Sequence, residues 1–166
     1  MIIKKDSYDS GKADSSEIVT WDKKYSTGIE LIDVQHRELV RLANQLHQAC
    51  LAGGDKVSAT FKDAMSRMVE YVRFHFGAEL QLLLRINYPD YQTHKKQHET
   101  LIASILDAAK DYNDGKQFVP NAFVRTLKDW VFGHIAVYDK GYALYVADQK
   151  RKGLLTDDQI NGKVSG

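Results

Sequence analysis

Apolar side chains recur along this chain at alternating intervals of three and four residues, in four long runs separated by short breaks rich in glycine, proline, asparagine and aspartate. The first run, Ile29, Ile32, His36, Leu39, Ala43, Leu46 and Cys50, predicts a helix from about Thr27 to Ala52. The second, Phe61, Met65, Met68, Val72, His75, Glu79, Leu82 and Ile86, stops at the Asn87-Tyr88-Pro89 turn. The third, Tyr91, His94, His98, Leu101, Ile105, Ala108 and Tyr112, ends before Asn113-Asp114-Gly115. The fourth, Phe123, Leu127, Trp130, His134 and Val137, follows Pro120, whose fixed φ suits a first helical turn, and continues at least to Asp139.

No segment alternates with a period of two, and the connections between runs are short. The simplest architecture is therefore all-α, an antiparallel up-down-up-down four-helix bundle over residues 21–147. Residues 1–20 are polar and read as a flexible N-terminal arm. The end, residues 148–166, is polar with three glycines and reads as a weakly ordered C-terminal tail.

The runs are apolar except at particular places. His36, His75, His94, His98 and His134 occupy inward positions, with at least one from each helix, and Glu79 joins them. One histidine on an apolar face is ordinarily a buried residue hydrogen-bonded to a carbonyl or water. Six inward polar groups without proper partners, at roughly 1–3 kcal/mol each, would rival the whole stability of a domain, about 5–15 kcal/mol. A metal centre removes the conflict, because imidazole nitrogens and carboxylate oxygens become ligands and the binding energy adds to folding.

Local spacing agrees. His75 and Glu79, and likewise His94 and His98, are i, i+4 pairs that point the same way from one helix. Asp139 lies five residues after His134, which on a regular helix would rotate it about 140° away. A π-type turn between the two would bring both onto one face. His47, eleven residues after His36, sits about 16 Å farther along the axis and is not expected to reach the metals.

Composition narrows the function classes. The 23 basic and 22 acidic residues give a net charge of +1 with no long charged block, which points away from nucleic acid and from anionic membrane. One cysteine, Cys50, cannot form an internal disulfide, and no apolar run is long enough to cross a bilayer or to serve as a secretory signal; the expectation is a cytoplasmic protein.

Five imidazoles with one or two carboxylates exceed what one tetrahedral zinc requires, and mixed nitrogen and oxygen ligation suits iron. Ferritin-like di-iron sites use Glu-x-x-His pairs with further glutamates, and the seams here carry no such pair. The chain resembles the hemerythrin family in Asp33-Val-Gln-His36, His75-Phe-x-x-Glu79, His94-x-x-x-His98 and Trp130-x-x-x-His134-Ile135 with Asp139. The likeness extends from Trp21 to Asp139 and includes the Tyr88-Pro89 turn.

The resemblance implies two non-haem iron ions (Fe2+/Fe3+) with an oxo or hydroxo bridge. His94, His98 and His134 would hold one, His36 and His75 the other, and Glu79 and Asp139 would bridge them. It implies reversible binding of dioxygen at the iron with two histidines, with azide or nitric oxide as alternative ligands, against an apolar wall of Leu39, Phe76, Leu101, Val131 and Ile135. Two positions depart from the family pattern: Leu101 stands where phenylalanine is frequent, and Leu80 where a second glutamate is common. An oxygen-binding protein used for storage, delivery or buffering is the leading reading, and not an enzyme. A sensor or interaction module, or a peroxide- or nitric oxide-reducing di-iron enzyme, are the competing classes.

Overall fold

The computed structural model of the chain describes residues 17–53, 58–114, 116 and 119–162, and among these the regular structure is entirely helical. The principal helices are α1 (Glu30–Gly53), α2 (Ala59–Arg85), α3 (Tyr91–Asn113) and α4 (Pro120–His134). A π turn (Ile135–Asp139) joins α4 without a break to α5 (Lys140–Arg151), and a short α6 (Asp157–Asn161) follows. α1 packs against α2 and α4, and α2 against α3.

Sequence punctuation sets the boundaries. Ser58 caps α2 by accepting the Phe61 N–H at 3.0 Å, and Pro120 opens α4. Asn87, at φ +50°, turns the chain out of α2, and the Tyr88 N–H returns to the Leu83 carbonyl at 2.9 Å.

α1 starts at Glu30 and not near Thr27, because Asp33 holds the preceding residues in a non-helical loop. Its carboxylate accepts from Ser26 Oγ (2.5 Å), the Thr27 N–H (2.6 Å), Thr27 Oγ1 (2.8 Å) and the Gly28 N–H (3.2 Å). Gly28 has φ +75°, a conformation that a side chain would strain.

Two apolar clusters occupy the interior. The larger fills the bundle from Leu39, Leu46, Met68, Val72 and Phe76 to Leu101, Ile105, Leu127 and Val131. The smaller, at the end where α1 starts and α2 stops, holds Ile29, Ile32, Leu82, Leu83, Ile86, Tyr142, Val146 and Ile160.

Two expectations need correction, and a third falls mostly outside the described residues. Val137, expected inward, is 63% exposed, and Phe123 and Trp130 are only partly buried; the buried residues of this stretch are Pro120, Val124, Leu127, Val131, Phe132, His134, Ile135 and Asp139. The π turn carries one extra residue and rotates Val137 outward.

The C-terminal stretch, expected as a weakly ordered tail, is helical to Arg151 and again in α6. There Thr156 and Gln159 form a reciprocal capping box, Gly162 (φ +71°) ends the helix, and Ile160 is buried. A local cap and one apolar side chain order a segment whose composition alone suggested a tail.

At the other end, residues 1–16 of the expected N-terminal arm lie outside the described residues. The part that follows docks on α1: Asn44 Oδ1 accepts the Ile18 and Val19 N–H groups, Asn44 Nδ2 donates to the Val19 carbonyl, and Val19 is buried. No helix among the described residues is long and apolar enough to cross a membrane.

Asp33 gives the first prediction. Burial opposes its ionisation, but the Ser26, Thr27 and Gly28 donors outweigh that and hold the carboxyl below its usual pKa. With the folded pKa depressed, its stabilisation is complete above the unfolded carboxylate pKa and is lost as pH falls through the folded value. Asp33→Ala should lower stability by about 2 kcal/mol at neutral pH. Thermal melts of both proteins across pH should show the difference shrinking on acidification; a pH-independent gap would assign the loss to packing.

Candidate metal centre

All seven residues singled out as ligands meet between the two apolar clusters. His36 comes from α1, His75 and Glu79 from α2, His94 and His98 from α3, His134 from the last residue of α4 and Asp139 from the last residue of the π turn. Each is between 0 and 4% exposed. Two groups overlap at Glu79: Glu79 with His94, His98 and His134, and Glu79 with His36, His75 and Asp139, their ligating atoms lying within 4.8 Å of one another in each group.

The carboxylates span the two groups. Asp139 Oδ1 is 3.2 Å from His134 Nε2 and 3.6 Å from His94 Nε2, while Oδ2 is 3.4 Å from His36 Nε2. Glu79 Oε2 lies 3.3 Å from His98 Nε2, 3.5 Å from His75 Nε2 and 3.7 Å from His94 Nε2, and Oε1 is 4.0 Å from His36 Nε2. The π turn is what places Asp139 here, as the five-residue spacing from His134 required.

Neighbouring groups fix which ring nitrogen faces the centre. His36 Nδ1 lies 2.8 Å from the Tyr25 carbonyl, an acceptor only, so Nδ1 carries a proton and Nε2 is the nitrogen that faces the space shared with the carboxylates. His75 Nδ1 lies 2.9 Å from Gln35 Oε1 in the same sense. The Tyr142 hydroxyl donates to Glu79 Oε1 at 2.5 Å. Phe76 stacks on His98, with ring centroids 3.6 Å apart, and Trp130 stacks on His134 at 5.2 Å.

Charge is finely balanced in this dry space. Burial pushes the His75 imidazole down to about 4 and also lowers His98. For His36 burial acts the same way, but the Asp139 and Glu79 carboxylates prevail and its pKa is raised. Burial raises both carboxyls, and Glu79 raises Asp139 further. The surrounding imidazoles reverse this, holding Asp139 below its usual range and Glu79 well below. Tyr142 is pushed well above 10 by burial and by both carboxylates, so it remains a neutral donor.

The donor set fits a pair of cations. The Nε2 atoms of His36, His75 and His94, Glu79 Oε2 and both Asp139 oxygens are buried without a hydrogen-bond partner, and all point into one space. His98 Nε2 and His134 Nε2 also meet there, 3.1 Å apart. Leaving such atoms unmatched costs roughly 1–3 kcal/mol each, whereas metal coordination satisfies them together. The set is nitrogen and oxygen without sulfur, which suits iron more than thiolate-seeking metals.

Leu39, Phe76, Leu101, Val131 and Ile135, the expected apolar wall, are all buried in the larger cluster. Leu80 is half-buried and outside both ligand groups, and His47 is buried but joins neither. Three groups escaped the sequence reading: Tyr142, Gln35 and the Tyr25 carbonyl. Tyr142 follows Asp139 by three residues and Gln35 directly precedes His36, so both had a positional signal; a backbone carbonyl has none.

Gln35→Leu should remove the acceptor that orients His75 and weaken metal retention about 10–100-fold while helix content is preserved. Chelator competition measures this; wild-type retention would show that the His75 orientation does not depend on Gln35.

The profile of the hemerythrin HHE cation binding domain matches residues 27–144. Bacteriohemerythrin of Pseudomonas aeruginosa is 31% identical over 75% of this chain and 78% of its own length, and that of Methylococcus capsulatus is 28% identical over 75% and 94%. The crystal structure of wild-type hemerythrin superposes with a TM-score of 0.69 at 26% identity, covering 76% of this chain and 95% of that one. With a matching domain over most of its length and the ligand groups assembled inside a helical bundle, the chain belongs to the hemerythrin family.

Proposed function

We propose that the protein binds dioxygen reversibly at a di-iron centre and serves as an oxygen store, carrier or buffer, not as an enzyme. The observation that carries this reading is the pair of buried ligand groups sharing Glu79, with the two oxygens of Asp139 turned toward opposite sets of histidines. In the proposed assignment His94, His98 and His134 would hold one iron and His36 and His75 the other, with Glu79 and Asp139 shared between them. When bound, the iron pair supplies reversible electron donation to dioxygen.

The chain supplies the environment. Neutral imidazoles offer Nε2 because the Tyr25 carbonyl and Gln35 hold the opposite nitrogens protonated. The group with two histidines has one protein nitrogen fewer than the group with three, which favours it as the site for a small ligand. Leu39, Phe76, Leu101, Val131 and Ile135 keep water away from that ligand, and in a low-dielectric pocket they penalise any change in net charge. Azide and nitric oxide are small enough to compete for the same position. The family domains of the two bacterial relatives, named bacteriohemerythrin, support the same reading.

Metal analysis should find two irons per chain. The visible spectrum should change when the reduced protein meets air and revert under inert gas. Irreversible oxidation would exclude a carrier, and sustained consumption of oxygen or peroxide with a reductant would favour an enzyme. His36→Ala should lower iron content toward one per chain and abolish reversible oxygen binding while the bundle remains folded; unchanged iron and oxygen binding would overturn the ligand assignment.

A further inference from the structure

The family match ends at residue 144, yet the chain continues into an ordered segment that returns to the bundle. α6 has only five residues, too few for a helix to persist by its own hydrogen bonds. It is fixed at several points. The Thr156–Gln159 capping box closes its start, Gly162 its end, Lys150 pairs with Asp157 at 2.5 Å, and Arg85 Nη2 at the end of α2 donates to the Ile160 carbonyl at 3.1 Å. Together they seat Ile160, which is 5% exposed, with Leu155 packed partly buried against the same cluster.

The cluster that receives Ile160 also contains Tyr142. Tyr142 is fully buried, and its hydroxyl is the donor to Glu79, the residue common to both ligand groups. The same cluster includes Leu82, three residues after Glu79 on α2, and Arg85 follows on the next turn. Tyr88 and Tyr145 brace the arrangement: Tyr88 meets Tyr142 edge-on at 6.3 Å and Tyr145 at 5.5 Å, and the Tyr145 hydroxyl donates to the Ile86 carbonyl at 3.3 Å. In a close-packed interior, displacement at one wall of so small a cluster is passed to the others.

We infer that Ile160 on α6 is a positioning residue for the metal centre, packing the end cluster so that the Tyr142 hydroxyl stays on Glu79 and the bridging carboxylate stays in place. The inference rests on the metal-centre reading above. It predicts that residues beyond the family domain govern how tightly the domain keeps its metal, and that they do so through Tyr142.

The test is a double-mutant cycle on the full chain loaded with cobalt(II), following the visible absorption of the bound ion as a chelator removes it. Ile160→Ala and Tyr142→Phe should each speed release about 10-fold. The double variant should release no faster than Tyr142→Phe alone, and Ile160→Leu should restore near-native retention. Ile160→Val, which removes a single methylene, provides a smaller perturbation should the alanine variant fold poorly, and is expected to shift release in the same direction.

Thermal melting of the metal-free proteins separates this from general destabilisation. A lowered midpoint for the Ile160 variants with wild-type release, or multiplicative effects in the double variant, would overturn the inference while leaving the metal centre intact. A wild-type chain that retains neither cobalt nor iron would overturn the metal-centre reading and this inference with it.

Discussion

The structure depends on gathering seven histidine and carboxylate side chains that could hold metal at one level of a bundle whose interior is largely apolar. No pair of helices satisfies these groups alone, since they come from α1, α2, α3 and the continuous α4–α5 rod. Burial works against charge on all of them: it lowers His75 and His98, and the imidazoles together hold both carboxyls below their usual range in spite of it. An arrangement so dependent on compensation is costly to leave without cations, and this is why the same residues that define the bundle interior also define its chemistry.

Around that level the outer contacts divide the work. On the side of the two-histidine group, protein acceptors select the imidazole tautomer, through the Tyr25 carbonyl and Gln35. On the side of the three-histidine group, aromatic planes set ring orientation, Phe76 against His98 and Trp130 against His134. The latter side also lies nearer solvent, with clefts of about 340 and 330 Å³ lined in part by His134 and by His94. One group is therefore held by directional polar bonds, the other by stacking and shape.

Much of this was legible in the sequence because helical spacing maps residue number onto direction. The i, i+4 pairs His75–Glu79 and His94–His98 could be placed on one face without coordinates, and the mismatch between His134 and Asp139 announced a distorted turn. Spacing failed where that mapping is interrupted or does not apply. Val137 was misplaced because its direction was taken from a regular helix through a stretch that is not regular. α6 was missed because average polarity concealed the Thr156–Gln159 cap and a single inward Ile160. Tyr142 went unremarked because a phenol on an apolar seam reads as core until its hydroxyl is seen on Glu79.

The π turn has an effect that reaches past Asp139. Inserting one residue into a helix shifts the angular phase of everything after it by about 100°. The inward residues of α5 are Tyr142, Ala143 and Val146, while Leu144 faces outward. Had the helix kept its original phase, Tyr138 and Tyr145 would have turned inward in place of Ala143 and Val146. One insertion thus sets two things together, the place of the Asp139 carboxylate among the histidines and the face that α5 offers to the end of the bundle. A single-residue deletion between His134 and Asp139 would not merely turn one carboxylate away from the histidines; it would rotate the rest of the rod against the bundle by about 100°.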